Sequence, residues 1–192
     1  MKLIISTFLI AISLMGNLHA GLWPSGHFRL GAGVQSLPES EGIDMDMLKV
    51  GQISFDIQPF VVPVYISLDI QGSLESDGDY NIGADRGSLT SKVQQYTLGA
   101  RLYKDIGPID IYGGIGLNYL KSQQKLEGVA LLKEISDEGL GVTFIVGFTD
   151  LKVFLPAVGW GVEFRYARVN VDSFTDVDAR KGSWLLTCGI GW

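Results

Sequence analysis

Apolar residues alternate one by one with small or polar residues in eight separate stretches of this 192-residue chain. A period of two is the signature of a β-strand with two unlike faces. His27 to Val34 sets Phe28, Leu30, Ala32 and Val34 against Arg29, Gly31, Gly33 and Gln35. Leu48 to Ile57 sets Ile53, Phe55 and Ile57 against Gln52, Ser54 and Asp56, and Val64 to Gln71 sets Val64, Ile66, Leu68 and Ile70 against Tyr65, Ser67, Asp69 and Gln71. The fourth and fifth stretches carry Tyr96, Leu98, Ala100 and Leu102, then Ile109 through Tyr119, on their apolar phase. The sixth and seventh do the same with Leu140 to Phe148 and Val158 to Tyr166. The eighth is the last nine residues, where Trp184, Leu186, Cys188, Ile190 and Trp192 share one face.

The connections between these strands alternate in length. Long polar or acidic stretches (SLPESEGIDMDM; GSLESDGDYNIGADRGSLTSK; the residues after Leu120; NVDSFTDVDARKG) take turns with short ones (QPFVVP, KDIGP, and a moderate turn around TDLKVFLPA). The long ones read as loops, with a helical turn or two expected in LEGVALLKEI. Such sorting is what a membrane-spanning barrel produces, with tight turns at one rim and long loops at the other. A water-soluble barrel has no reason to sort its loops. The even strand count puts both termini on one side. The fold class expected is therefore all-β: an eight-stranded antiparallel transmembrane up-and-down β-barrel.

Aromatic placement agrees. Tyr96, Tyr119, Tyr166 and Trp184 fall at one end of the apolar phase, and Phe28, Phe148, Trp160 and Trp192 at the other. Amphipathic rings collect in this way at the two boundaries of a lipid slab. The terminal strand, at about 3.4 Å per residue and ~45° tilt, rises roughly 20 Å, close to the ~25 Å apolar band of such barrels.

The chain begins MKLIISTFLIAISLMGNLHA: a basic Lys2, an apolar run from Leu3 to Met15, and a small-residue cleavage site at Leu18-His19-Ala20. Residues 1–20 read as a secretory signal peptide and 21–192 as the barrel. No apolar stretch is long enough for a membrane helix. The only cysteine, Cys188, excludes a disulfide framework within the chain, and its place on the apolar face suggests a buried, inert thiol. A net charge of −6 argues against nucleic-acid binding.

Which face lies inside follows from the polar phase, rich in Gly, Ser, Thr and Gln but poor in Lys. A solvated surface carries more charge, whereas a narrow eight-stranded lumen is just filled by side chains. Its charges are Arg29, Asp56, Asp69, Arg101, Asp110, Glu163 and Arg165. Asp69, Arg101, Glu163 and Arg165 are the core of an expected ion network. Its bland role is a plug; the alternative is a gated path for ions or small solutes. Leu48, Val50, Leu120 and Leu185, with Leu37, point inward near the far rim. They form either an apolar mouth for a greasy small molecule or a seat for folded-in loops.

Catalytic chemistry is poorly represented. The mature chain has one histidine, His27, and no His-x-Ser pair of the kind found in lipid A deacylases. No metal-ligand cluster or cofactor motif stands out. The acidic runs Glu39, Glu41, Asp44 and Asp46, and Asp77, Asp79 and Asp85, read as solvated rather than as calcium sites. An enzyme is not expected.

The terminal strand resembles the C-terminal signal that the barrel-assembly machinery reads in bacterial outer-membrane proteins: Trp184, Leu186, Cys188, Ile190 and the closing Trp192. IYGGIGLNYLKS in the fifth strand resembles the YxGxGxNY segment of the OmpW family, although that family usually closes on Phe. GWGVEFRYARV in the seventh resembles the matching strand of that family and of OmpA-type and OmpX-type barrels. The resemblance implies a bacterial outer-membrane location. It also implies outer-membrane lipids, the assembly machinery and periplasmic chaperones as partners, and a lumen that binds or admits small hydrophobic molecules. The competing expectation is a closed OmpA- or OmpX-like barrel acting through its acidic loops.

Overall fold

The computed structural model describes residues 25–36, 43–45, 47–59, 63–82, 85–128, 132–155, 158–171 and 179–191. Residues 1–20, expected to be a signal peptide, and Leu37 and Trp192 lie outside these residues. Among the described residues there are ten strands: β1 (Gly26–Gln35), β2 (Ile43–Met45), β3 (Leu48–Ile57), β4 (Tyr65–Ser73), β5 (Ser76–Ile82), β6 (Asp85–Ile106), β7 (Ile109–Gly128), β8 (Leu132–Leu155), β9 (Val158–Val171) and β10 (Ala179–Gly191).

Eight of them close a ring. The antiparallel order is β1, β3, β4, β6, β7, β8, β9, β10, and β10 returns to β1 with His27 opposite Gly191 and Gln35 opposite Ser183. Closure leaves no ladder edge in the barrel wall, which is what a lipid environment demands of a β structure. The rim that holds the termini is called the near rim below. There β6 turns into β7 through Gly107 and Pro108 alone, with Gly107 at φ 63°. A two-residue hairpin needs a positive φ at its first central position and is best served by Gly; Pro108 supplies the fixed negative φ that follows.

Exposure is inverted relative to a water-soluble barrel. Leu117 and Leu140 are 70% and 71% exposed on the outside, while Asp56, Asp69 and Glu163 are 0% exposed inside. The strand phases read from the sequence match this throughout the wall. Outside, Tyr96, Tyr119 and Trp184 are exposed and Tyr166 half-buried; towards the near rim Phe28, Phe148 and Trp160 are half-buried. Phe164 stacks obliquely on Trp184 at 4.5 Å and Phe28 on Phe55 at 4.9 Å. Cys188 is half-buried on the outer face, not enclosed as expected. The reason is inversion itself: the apolar face of β10 meets lipid instead of a second protein layer.

Three expectations about the connections are corrected. The stretch from Ser76 to Lys92 is not loop but a β5–β6 hairpin, with Ser76 opposite Ser91 and Ile82 opposite Asp85. LEGVALLKEI forms no helical turn among its described residues; β7 runs to Gly128 and β8 resumes at Leu132, with Glu127 opposite Leu132. TDLKVFL is likewise strand, continuing β8 to Leu155 through two register shifts against β9. In each case polar composition suggests a loop, whereas ladder hydrogen bonds from an already aligned neighbour extend a strand regardless of modest propensity. Beyond the far rim β6, β7 and β8 therefore continue as a sheet, joined on one side by β5 and then β2, where Ile43 faces Tyr80.

Candidate functional site: a layered, closed lumen

Three arginines and three carboxylates meet inside the barrel. Arg29 comes from β1, Asp56 from β3, Asp69 from β4, Arg101 from β6, and Glu163 and Arg165 from β9. Each sits on the inward phase of its strand, so six side chains from five strands converge. Arg101 is the hub. Its Nη1 donates to Asp56 Oδ1 at 2.7 Å, and its Nη2 donates to both Asp69 oxygens at 2.8 Å. Glu163 Oε2 lies 3.6 Å from the same nitrogen. Arg29 Nη2 donates to Asp56 Oδ2 at 2.7 Å. Arg165 Nε donates to Glu163 Oε1, and its Nη2 lies 3.1 Å from Asp69 Oδ2.

Neutral groups complete the carboxylates. Tyr112 Oη donates to Glu163 Oε2 at 2.7 Å, Gln52 Nε2 to Glu163 Oε1 at 3.0 Å, and Tyr103 Oη to Asp56 Oδ2. The formal charge of the six ionised groups cancels. A buried ion pays a desolvation cost of several kcal/mol, which only pairing and further hydrogen bonds offset; the geometry here supplies both.

Glycines on the facing strands make room for the long side chains. A Cβ on Gly114 would come 2.8 Å from Arg101 Cγ and 2.7 Å from the Ala100 carbonyl oxygen. One on Gly189 would come 2.6 Å from Arg29 Cγ. The stems of Arg101 and Arg29 pass over these bare positions.

An aromatic layer lies against the network on its near-rim side. His27 stacks on Tyr103 at 4.5 Å and 13°, Tyr65 meets Tyr103 edge-on at 4.7 Å, and Tyr103 lies 5.1 Å from Tyr112. Arg29 Cζ lies 4.5 Å from the Tyr112 ring centroid and Arg101 Cζ 5.6 Å, a range in which guanidinium and ring attract.

The other side of the network is closed by apolar packing. Leu48, Val50, Leu120 and Leu185 are 0–4% exposed and pack with Val93, Ala167 and Val169 in one buried cluster. The four candidate mouth residues are thus brought together. Among the described residues they form one buried apolar layer inside the barrel and not an exposed mouth. Gln35, Gln71, Gln95 and Asn118 are buried as well, and Gln71 Nε2 donates to Gln35 Oε1 at 3.1 Å.

Asp69, Arg101, Glu163 and Arg165 are all placed in the network. Asp110 is half-exposed beside the β6–β7 turn. Residue-type reasoning does not single out Gln52, Tyr103 and Tyr112 as network members. The signal available is an inward tyrosine paired with an inward glycine, as Tyr112 with Gly147. Among the described residues no His, Cys, Asp or Glu cluster converges as a metal site. Glu39, Glu41 and Asp46 lie outside those residues, and Asp77 accepts a hydrogen bond from Thr90 Oγ1 at 2.9 Å.

No family model matches the sequence, and no curated protein sequence matches it significantly. Solved structures do. A major outer membrane protein from Thermus thermophilus superposes with a TM-score of 0.61 at 13% identity, covering 91% of this chain and 100% of that one. This is an eight-stranded outer-membrane-type barrel. The outer membrane protein OprG from Pseudomonas aeruginosa follows at TM-score 0.57 and 14% identity, covering 88% and 96% of the two chains. Ail, the attachment invasion locus protein of Yersinia pestis, was crystallised with the heparin analogue sucrose octasulfate. It gives TM-score 0.57 and 12% identity over 89% of this chain and all of that one. Identities this low speak for the shared fold.

Proposed function

We propose that this protein is an integral outer-membrane barrel whose lumen is sealed and whose working surface is the sheet beyond the far rim. The observation that carries the reading is the stack inside the wall: aromatic rings, a charge-balanced ion network and a buried apolar layer, one on another. A solute crossing the lumen would have to break several buried charge-assisted hydrogen bonds and part a packed leucine layer. The sheet of β2, β5, β6, β7 and β8 stands where short turns at the opposite rim would place the cell exterior. Its exposed residues include Lys92, which pairs with Glu75 at 3.6 Å, and Lys125, which pairs with Glu127. An attachment or scaffolding role fits that surface, as the name of Ail suggests for a protein of this fold. The chain's acidic balance points to a different class of partner than a sulfated polyanion.

Passage or capture of small hydrophobic molecules, the OmpW-like alternative, has the inward leucines in its favour but needs them to separate. Planar-bilayer recording on the purified barrel tests the two readings. No steady conductance is expected. Steady conductance blocked by a small hydrophobic ligand would overturn the sealed reading in favour of passage. Neither reading requires a catalytic group.

A further inference from the structure

On the lipid-facing side of the wall, two adjacent rows of the hydrogen-bonded ladder enclose a groove of about 590 Å³. One row pairs Leu102 with Gly113, Gly113 with Val146, Val146 with Phe164 and Phe164 with Trp184. The next row pairs Lys104 with Ile111, Ile111 with Phe148 and Phe148 with Val162. All of these side chains are on the outward phase, while the inward-phase Tyr103, Tyr112 and Gly147 border the floor of the groove.

The groove exists because Gly113 interrupts a wall of bulky residues. A Cβ built there would meet only the Ile145 carbonyl oxygen, at 3.8 Å. At roughly 4.8 Å per strand the four steps from Leu102 to Trp184 run about 19 Å. The groove therefore matches the length of one extended acyl chain, running from Lys104 beside the β6–β7 turn towards Trp184.

Its lower end carries a cation. Lys104 is exposed, lines the groove two residues from the end of β6, and makes no ion pair among the described residues. An ammonium at the foot of an apolar trough matches an anionic phosphate attached to a long hydrocarbon.

We propose that this groove seats one phospholipid of the near-rim leaflet, its phosphate on Lys104 and one acyl chain over Gly113 towards Trp184. The proposal rests on the membrane-barrel reading above. The site is distinct from the lumen and does not depend on whether the lumen conducts.

The test counts lipid per barrel. Protein refolded with phosphatidylglycerol, or with a diacylglycerol of the same chains, is washed extensively in detergent, and the retained lipid is extracted and quantified. About one phosphatidylglycerol per wild-type barrel is expected, with much less diacylglycerol. Gly113→Phe, which fills the trough, should lower retention at least tenfold, and Val146→Trp fills it from the other side should the first variant fold poorly. Lys104→Gln should lower phosphatidylglycerol retention several-fold and leave diacylglycerol unchanged. Equal retention by wild type and both filled variants would overturn the proposal, as would a dimer that shields the groove or headgroup selectivity untouched by Lys104→Gln. Boiling each sample before electrophoresis separates the two levels of failure. A heat-modifiable barrel that keeps no lipid sinks the groove alone, whereas a protein that needs no detergent and shows no mobility change sinks the membrane reading with it.

Discussion

Arg101→Met removes the hub of the lumen network while keeping most of the side-chain volume. Arg101 and its partners Asp56, Asp69 and Glu163 are all 0–1% exposed, so no solvent screening discounts the effect. Three buried carboxylates would then face two guanidiniums. Removing one partner from a buried pair costs about 3–5 kcal/mol, because the remaining charge stays desolvated without compensation. At roughly 1.4 kcal/mol per decade, that range is a shift of two to nearly four decades in the unfolding equilibrium. The assay is urea unfolding of the barrel refolded into lipid vesicles, read by tryptophan fluorescence and by mobility on unboiled gels. Asp69→Asn in the Arg101→Met background restores the charge balance and should recover part of the loss, a coupling that a double-mutant cycle isolates. A loss below about 1 kcal/mol, the value of an exposed pair, would refute the reasoning. So would strict additivity of the two substitutions.

Leu117→Arg, placed on the most exposed part of the outer wall, should cost about 2–4 kcal/mol in vesicles if it lies near the bilayer midplane, and Leu117→Ala far less; equal effects would mean that this face does not meet hydrocarbon. Leu185→Ala opens a hole in the buried apolar layer and should cost about 2–5 kcal/mol in urea unfolding, with bilayer recordings still showing no steady current. Gly114→Ala forces the Arg101 stem or the neighbouring backbone to move and should cost about 1–3 kcal/mol, while a neutral outcome would show that the guanidinium does not lie across that strand. Cys188 in intact vesicles should react with an apolar maleimide and resist a charged one; equal rates would put the outer face of β10 in water.

The wall of this barrel is legible in the sequence because each strand has one lipid face and one lumen face, and period two records both at once. Arg101 and Asp69 can be assigned to the inside, and to neighbouring strands, from phase alone. The hub geometry cannot, since which carboxylate a guanidinium reaches depends on barrel radius and stagger. Tyr112 shows the same limit: its inward phase is plain, but its hydrogen bond to Glu163 joins β7 to β9 across β8. The outer sheet is hidden for another reason. Residues such as Ser88, Lys92 and Gln123 have weak strand preference, yet they continue ladders that the wall has already started. Leu48 and Leu185 can be placed inside but not judged open or closed, because closure depends on what lies opposite.

The junction of β1 with β10 has a consequence for biogenesis. The first and last strands of the ring are immediate neighbours, so the seam joins residues separated by nearly the whole chain. Until synthesis has finished, every growing intermediate has two raw flanks and nowhere to hide them. Closure of the complete cylinder thereby has to wait for β10, its last strand. The same adjacency means that linking Gly26 to Gly191 and cutting the chain at an outer connection should yield the same cylinder with a new starting point.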